Sequence, residues 1–424
     1  DFSISNNSSI KVKNDEGTEE DKKLVDIIDL NGNILDYAAY LQVGMKARNN
    51  SSVINGTAED GANAPMITLG DATVGMAADD KSSALNYGTI KVLAQNGTLG
   101  MAAGNHSTAT NQNGNINLQF KGFNDTDSII GMYADTYSSI INNGSITGNT
   151  IDVSGTTGAG SGSSSGSGTG SGTGDTGDAG DTTEATANAG TIIGMEVRTV
   201  NEVSYPDRVD PSTASNNGSI TLNAQSDSAA IRTSLIGMGG YLDKDFLDGT
   251  KLIRRASSLY LFNGVNGSVV FRKRGTGIAT TSGRVINMGS IKLEQGGTGI
   301  SSANGDVYNA ENAQIVIDDN NTASSTGIVA QAGKITNDGT ISITNGNGAT
   351  GIKAGLLVNN NKLITLTGRN ITGIELTGQD AIANNYDDIS ITSNGISENN
   401  FGIKAGASAV NATITNNNDI KLTG

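Results

Sequence analysis

His106 is the chain's single histidine, and the chain has no cysteine. A metal site built on imidazole or thiolate would therefore lack a second ligand. His106 sits in the phrase Gly104-Asn105-His106-Ser107, which reads as an exposed turn rather than as the base of a Ser-His-Asp triad. Glycoside cleavage needs two carboxylates flanking one bond. Glu294, Asp318, Asp319 and Glu375 are scattered along the chain and suggest no such pair. Gly275-Thr276-Gly277 and similar phrases lack the strand–helix context and the lysine-serine sequel of a phosphate loop. Asp175, Asp178 and Asp181 lack the nonapeptide pattern of calcium-binding repeats. Arg272-Lys273-Arg274 reads as a solvated turn; its alternative is a contact for an acidic or glycan ligand. No catalytic residue, metal site or cofactor is expected, so the chain is not expected to be an enzyme. The residue types best suited to recognition are Tyr205, Arg208, Tyr241, Arg254 and Arg255. Tyrosine offers flat area and arginine planar hydrogen bonding.

The element that must position these groups is a repeat. A short phrase recurs twelve times: glycine, then Met or Ile, then usually Ala two positions on. Gly44-Met45-Lys46-Ala47, Gly131-Met132-Tyr133-Ala134 and Gly351-Ile352-Lys353-Ala354 are examples. Where copies lie closest they are 22 to 31 residues apart, a period that means one unit stacked many times. A second phrase follows the pattern Asn, usually Gly, a small residue, Ile, any residue, then an aliphatic one, as in Asn217-Gly218-Ser219-Ile220-Thr221-Leu222. A third apolar piece precedes the Asn, as in Val285-Ile286-Asn287. Each period thus holds three short alternating segments separated by Gly, Asn and Asp. The prediction is an all-β, right-handed parallel β-helix of about twelve coils, with three strands per coil. Ile, Leu, Val and Met should point inward, and Thr, Ser, Lys and Asn outward. Recurrent Asn at one corner suggests stacked side-chain amides. A β-sandwich or barrel would not repeat the same phrases in order. At ~4.8 Å per rung, the rod should be roughly 55–60 Å long.

Residues 41–424 form the expected helix, and 1–40 an irregular N-terminal segment or cap in which Ser9-Ile10-Lys11-Val12 resembles one repeat strand. Three coils are lengthened. Ser154–Ala189 is nearly pure Gly, Ser, Thr, Ala and Asp, and is expected to be a disordered, dispensable loop. Residues 198–211 and 241–257 carry the five recognition candidates. Both follow a Gly-Met anchor, so their roots should sit one rung apart at one corner and form a single lobe. The Met series from Met45 to Met238 reads as core filling rather than as a metal-binding set.

The formal charge is −15, which disfavours nucleic acid and anionic membrane as partners. The chain begins with Asp1-Phe2 and has no apolar run of signal-peptide or membrane-spanning length. It ends just after the strand-like Asp419-Ile420-Lys421-Leu422, so it reads as a piece of a longer protein.

The Gly-Ile-x-Ala and Asn-x-Gly-x-Ile phrases together resemble the passenger domains of type V autotransporters, and most of all the large Asn-rich outer-membrane adhesins of fusobacteria. The resemblance covers about residues 41–424 and matches no catalytic motif of the protease or lipase members. It implies a secreted chain held at the cell surface by a C-terminal barrel that this sequence does not contain. The absence of cysteine suits passage through a membrane pore. The expected role is that of an adhesin stalk and binding module, monomeric, for a host-cell or bacterial surface protein or glycan. The alternative is a polysaccharide lyase or hydrolase on the same fold.

Overall fold

The structure is a computed structural model that describes residues 3–6, 10–12, 27–28, 34–35, 42–60, 64–122, 127–135, 137–151, 189–199, 212–224, 232–242, 259–319, 324–394 and 399–424. Its described residues form strands and turns with no helix. Three long parallel sheets run the length of the molecule, with thirteen, thirteen and twelve strands. The chain visits them in rotation. Gln42–Ala47 lies in the third sheet, Ser52–Asn55 in the first, Met66–Leu69 in the second, and Thr73–Ala78 in the third again. This is a right-handed parallel β-helix with three strands per coil. Two short strands ahead of residue 41 join the stack: Ser3–Asn6 pairs with Ser52–Asn55, and Ile10–Val12 with Met66–Leu69. Ile27–Ile28 and Ile34–Leu35 form a separate antiparallel pair.

The core is a bundle of one-residue ladders. Met45, Met76, Met101, Met132, Met195 and Met238 stack in register and continue as Ile278, Ile300, Ile328, Ile352, Ile374 and Ile403. All but the two end residues are fully buried. The second sheet adds pairs such as Ile116 and Leu118, Ile220 and Leu222, and Ile315 and Ile317. The anchor glycines from Gly75 to Gly402 are dictated by space. A Cβ on Gly327 would lie 2.5 Å from the Gly351 carbonyl oxygen and 2.6 Å from Cγ2 of Ile341. Gly100, Gly237, Gly299 and Gly373 meet the next coil in the same way.

At the corner between the first and second sheets, twelve asparagines form one ladder. Each Nδ2 donates to Oδ1 of the next coil, from Asn55 through Asn86, Asn111, Asn142, Asn216, Asn263, Asn287, Asn309, Asn337, Asn360 and Asn385 to Asn416, at 2.7–2.9 Å. Eleven of the twelve are fully buried. A buried primary amide must satisfy both its donor and its acceptor, and unidirectional stacking does so at every rung.

One expectation is corrected. The outward row of the third sheet is not polar over the first half of the rod. Val74, Leu99, Ile130, Ile193 and Ile236 form a second buried cluster with Ala102 and Tyr133, separate from the central core. The cause is a slip in the in–out alternation at the anchor glycine. Ile129 and Met132 lie in the central core, whereas Ile130 and Tyr133 lie in the second cluster. From Thr276 onward the row becomes threonine, through Thr298, Thr326, Thr350 and Thr372. The change from Met to Ile in the core ladder falls at the same rung.

Candidate functional site

The corner between the third and first sheets carries the insertions that follow Thr199 and Leu242, and a cleft lined by His106. Four coils turn this corner through left-handed residues that are not glycine: Asn49 and Asn50, Asp80 and Lys81, Asn105 and His106, then Tyr137. Asn, Asp and His tolerate this conformation, whereas Lys81 and Tyr137 hold it against their intrinsic preference. Inter-coil hydrogen bonds keep them there. The Asn50 amide donates to the Asp80 carbonyl and the Lys81 amide to the Asn105 carbonyl, at 3.1 and 3.0 Å. Buried serines add a second set. The Ser51 amide donates to Ser82 Oγ and the Ser82 amide to Ser107 Oγ, at 3.2 and 3.0 Å.

The turn residues project as a row, Asn50, Lys81, His106 and Tyr137, one per coil. The His106 and Tyr137 rings stack with centroids 5.0 Å apart and planes 13° from parallel. Beside them runs a hydroxyl row in register, Ser52, Ser83, Thr108 and Ser139. Ser83 Oγ donates to Ser52 Oγ at 2.9 Å. Between the rows lies a cleft of about 420 Å³ whose walls include Asn50, Lys81, His106, Ser52, Ser83 and Thr108.

Two carboxylates come together at the same corner. A Cβ on Gly104 would lie 3.2 Å from Asp135 Oδ1 and 3.9 Å from Asp79 Oδ1, so the two acids face each other across the missing side chain. Burial first, and then the Asp79 charge, push the Asp135 carboxyl up to about 6. Asp79 also accepts a hydrogen bond from Arg48 Nε at 3.0 Å. Neither acid lines the cleft. Elsewhere, Glu294 pairs with Lys292, and Glu375 lies between Lys353 and Lys404. Arg274 of the basic triplet donates to the Ser324 carbonyl at 2.8 Å.

Of the five recognition candidates, Tyr205, Arg208, Arg254 and Arg255 lie outside the described residues, as does 154–188. Tyr241 is described. The strands Ala189–Thr199 and Arg232–Leu242 run in register, Arg198 opposite Tyr241 and Thr199 opposite Leu242. The two insertions therefore leave one corner a rung apart, and their first residues, Arg198 and Tyr241, belong to strands. Tyr241 does not project. Its ring folds back over Gly239, where a Cβ would lie 2.9 Å from Cε2, and the Arg198 guanidinium sits 5.8 Å from the ring centroid. Burial raises the Tyr241 phenol above its ordinary range.

Beneath the ring, Arg198 Nε donates to Glu196 Oε1, while Glu196 Oε2 is buried with no hydrogen-bond partner. Burial pushes the Glu196 carboxyl upward against the pull of Arg198. This charged cluster was missed in the sequence because the outward row of the third sheet was expected to face solvent. Its signal is a carboxylate at Glu196 on the row of Ala102 and Tyr133, which is buried on the two preceding coils.

Residues 2–114 match the family model of the BigA third pectate lyase-like domain. No curated protein and no solved structure matches the chain. The BigA-like stretch contains the cleft, including Asn50, Lys81 and His106.

Proposed function

We propose that the chain is a bacterial surface-displayed, adhesin-type β-helix module that binds and does not catalyse. The observation that carries this reading is the BigA-like match of residues 2–114 on an unbroken parallel β-helix. A rod locked by continuous ladders holds loops and clefts at fixed spacing, and rigid scaffolds of this kind commonly carry recognition on their turns. Among the described residues, the facing acids Asp79 and Asp135 lie off the cleft, which supports binding over turnover. The finer reading is a passenger secreted to the outer membrane of a diderm bacterium, monomeric, attaching to a host-cell or bacterial surface protein or glycan. Its recognition surface is the corner from which the insertions after Thr199 and Leu242 leave.

Beads coated with the purified chain test this reading against host cells and partner bacteria. The expected result is attachment that soluble chain competes away. Beads that do not attach, together with depolymerisation of an acidic polysaccharide by the soluble chain, would favour the enzyme reading.

A further inference from the structure

We propose that the cleft between Lys81, His106 and the Ser52–Ser83–Thr108 row binds an uncharged oligosaccharide laid along the rod axis. The inference rests on the reading of the chain as a binding module and names the ligand class of one site on it. At about 420 Å³ the cleft falls within the range of small-ligand sites.

Its lining fits a sugar better than other small ligands. Ser52, Ser83 and Thr108 each present a hydroxyl that both donates and accepts, as a pyranose hydroxyl requires. Asn50 adds an amide with both capacities, and the exposed Lys81 ammonium adds donors. His106 supplies a ring face, backed by Tyr137 in a near-parallel stack. Aromatic rings of this kind present an apolar face with a polar edge, which suits the C–H face of a pyranose whose hydroxyls lie in the ring plane. The hydroxyl row repeats once per rung, ~4.8 Å, close to the length of one sugar in an extended chain.

Electrostatics select against an acidic sugar. Around the cleft, Asp79, Asp80 and Asp135 are balanced by Lys46, Arg48 and Lys81, so the selection rests on the −15 of the whole chain. A polyanion would be repelled on approach. A nucleotide or phosphopeptide is disfavoured for the same reason, and an apolar ligand would find few carbon atoms to bury.

The test is calorimetric titration of the purified chain with cellotetraose, N-acetylchitotetraose and lacto-N-tetraose, and with tetragalacturonate as the acidic probe. His106→Asn removes the ring but keeps a residue that accepts the left-handed turn, and Ser83→Ala removes one hydroxyl of the row. The expected result is binding of at least one neutral tetrasaccharide. That affinity should fall tenfold or more in both variants with melting unchanged, and tetragalacturonate should bind at least tenfold more weakly. The proposal is overturned if no neutral probe binds, if both variants bind as the wild type does, or if tetragalacturonate binds best. None of these results bears on bead attachment, which stands or falls separately. If His106→Asn melts early, Ser83→Ala and the neutral-to-acidic ratio decide alone.

Discussion

Single side chains in this molecule are governed by which face of a narrow wall they occupy. Met132 and Ile352 are fully buried in the central ladder, so Met132→Asp or Ile352→Asp places an unpaired carboxylate in a core one coil wide. Each should lower stability by about 4 kcal/mol or more, read as a collapse of the melting transition. Asp135 acts in the opposite sense. Its folded value of about 6 lies above the unfolded value of 3.8, so the folded chain holds the proton longer. Stability therefore falls as pH rises from about 4 to about 6 and is flat above that. Asp135→Asn keeps the shape without the charge. It should melt higher than the wild type at pH 7.5, by on the order of 1–2 kcal/mol, and lose that advantage below pH 4. Arg198→Ala leaves the Glu196 carboxylate buried without its partner and should cost about 3–5 kcal/mol. The Glu196→Gln, Arg198→Met pair should cost clearly less. Equal losses in the two would mean that the ion pair is held from elsewhere.

At the scale of the strand and corner, glycine and asparagine set the design. Gly327→Ala forces a methyl to within 2.6 Å of two atoms of neighbouring strands and should cost about 3 kcal/mol. Gly348→Ala has its nearest neighbour at 3.6 Å and should cost only the ~1 kcal/mol of a left-handed alanine. A ranking of melting points for the two variants checks the steric account. Asn309→Ala leaves the Asn287 donor and the Asn337 acceptor unpaired, a cost of about 2–4 kcal/mol.

These ladders were legible in the sequence, since the Gly-Met/Ile and Asn-Gly phrases each return once per coil. The second apolar cluster was not. Ile130 and Met132 are two residues apart, a spacing that normally puts both on one face, and only the shift at Gly131 separates them. The cleft was also hidden. Asn50, Lys81 and His106 share no residue type, and nothing but the common left-handed turn brings them into one row. His106 was correctly read as an exposed turn residue, but its stack on Tyr137 depends on a coil 31 residues away.

The whole molecule is a repetition in which each rung adds the same rise, whatever the length of chain it consumes. Asn142 and Asn216 are one rung apart across 74 residues, and Asn287 and Asn309 are one rung apart across 22. The insertions thus add loops without adding height. The lack of native cysteine allows spin labels to test this directly. Thr147 and Val316 are four rungs apart on the outer face of the second sheet, through Thr221, Val270 and Lys292. Lys292 and Lys421 are five rungs apart on the same row, through Val316, Ser342, Thr365 and Ser390. Dipolar spectroscopy on cysteine-labelled pairs at these sites should give separations near 19 Å for the first pair and 24 Å for the second, at ~4.8 Å per rung. The pair with more residues between its labels should be the closer one. A longer distance for Thr147–Val316 than for Lys292–Lys421 would contradict the single continuous helix on which every site assigned here depends.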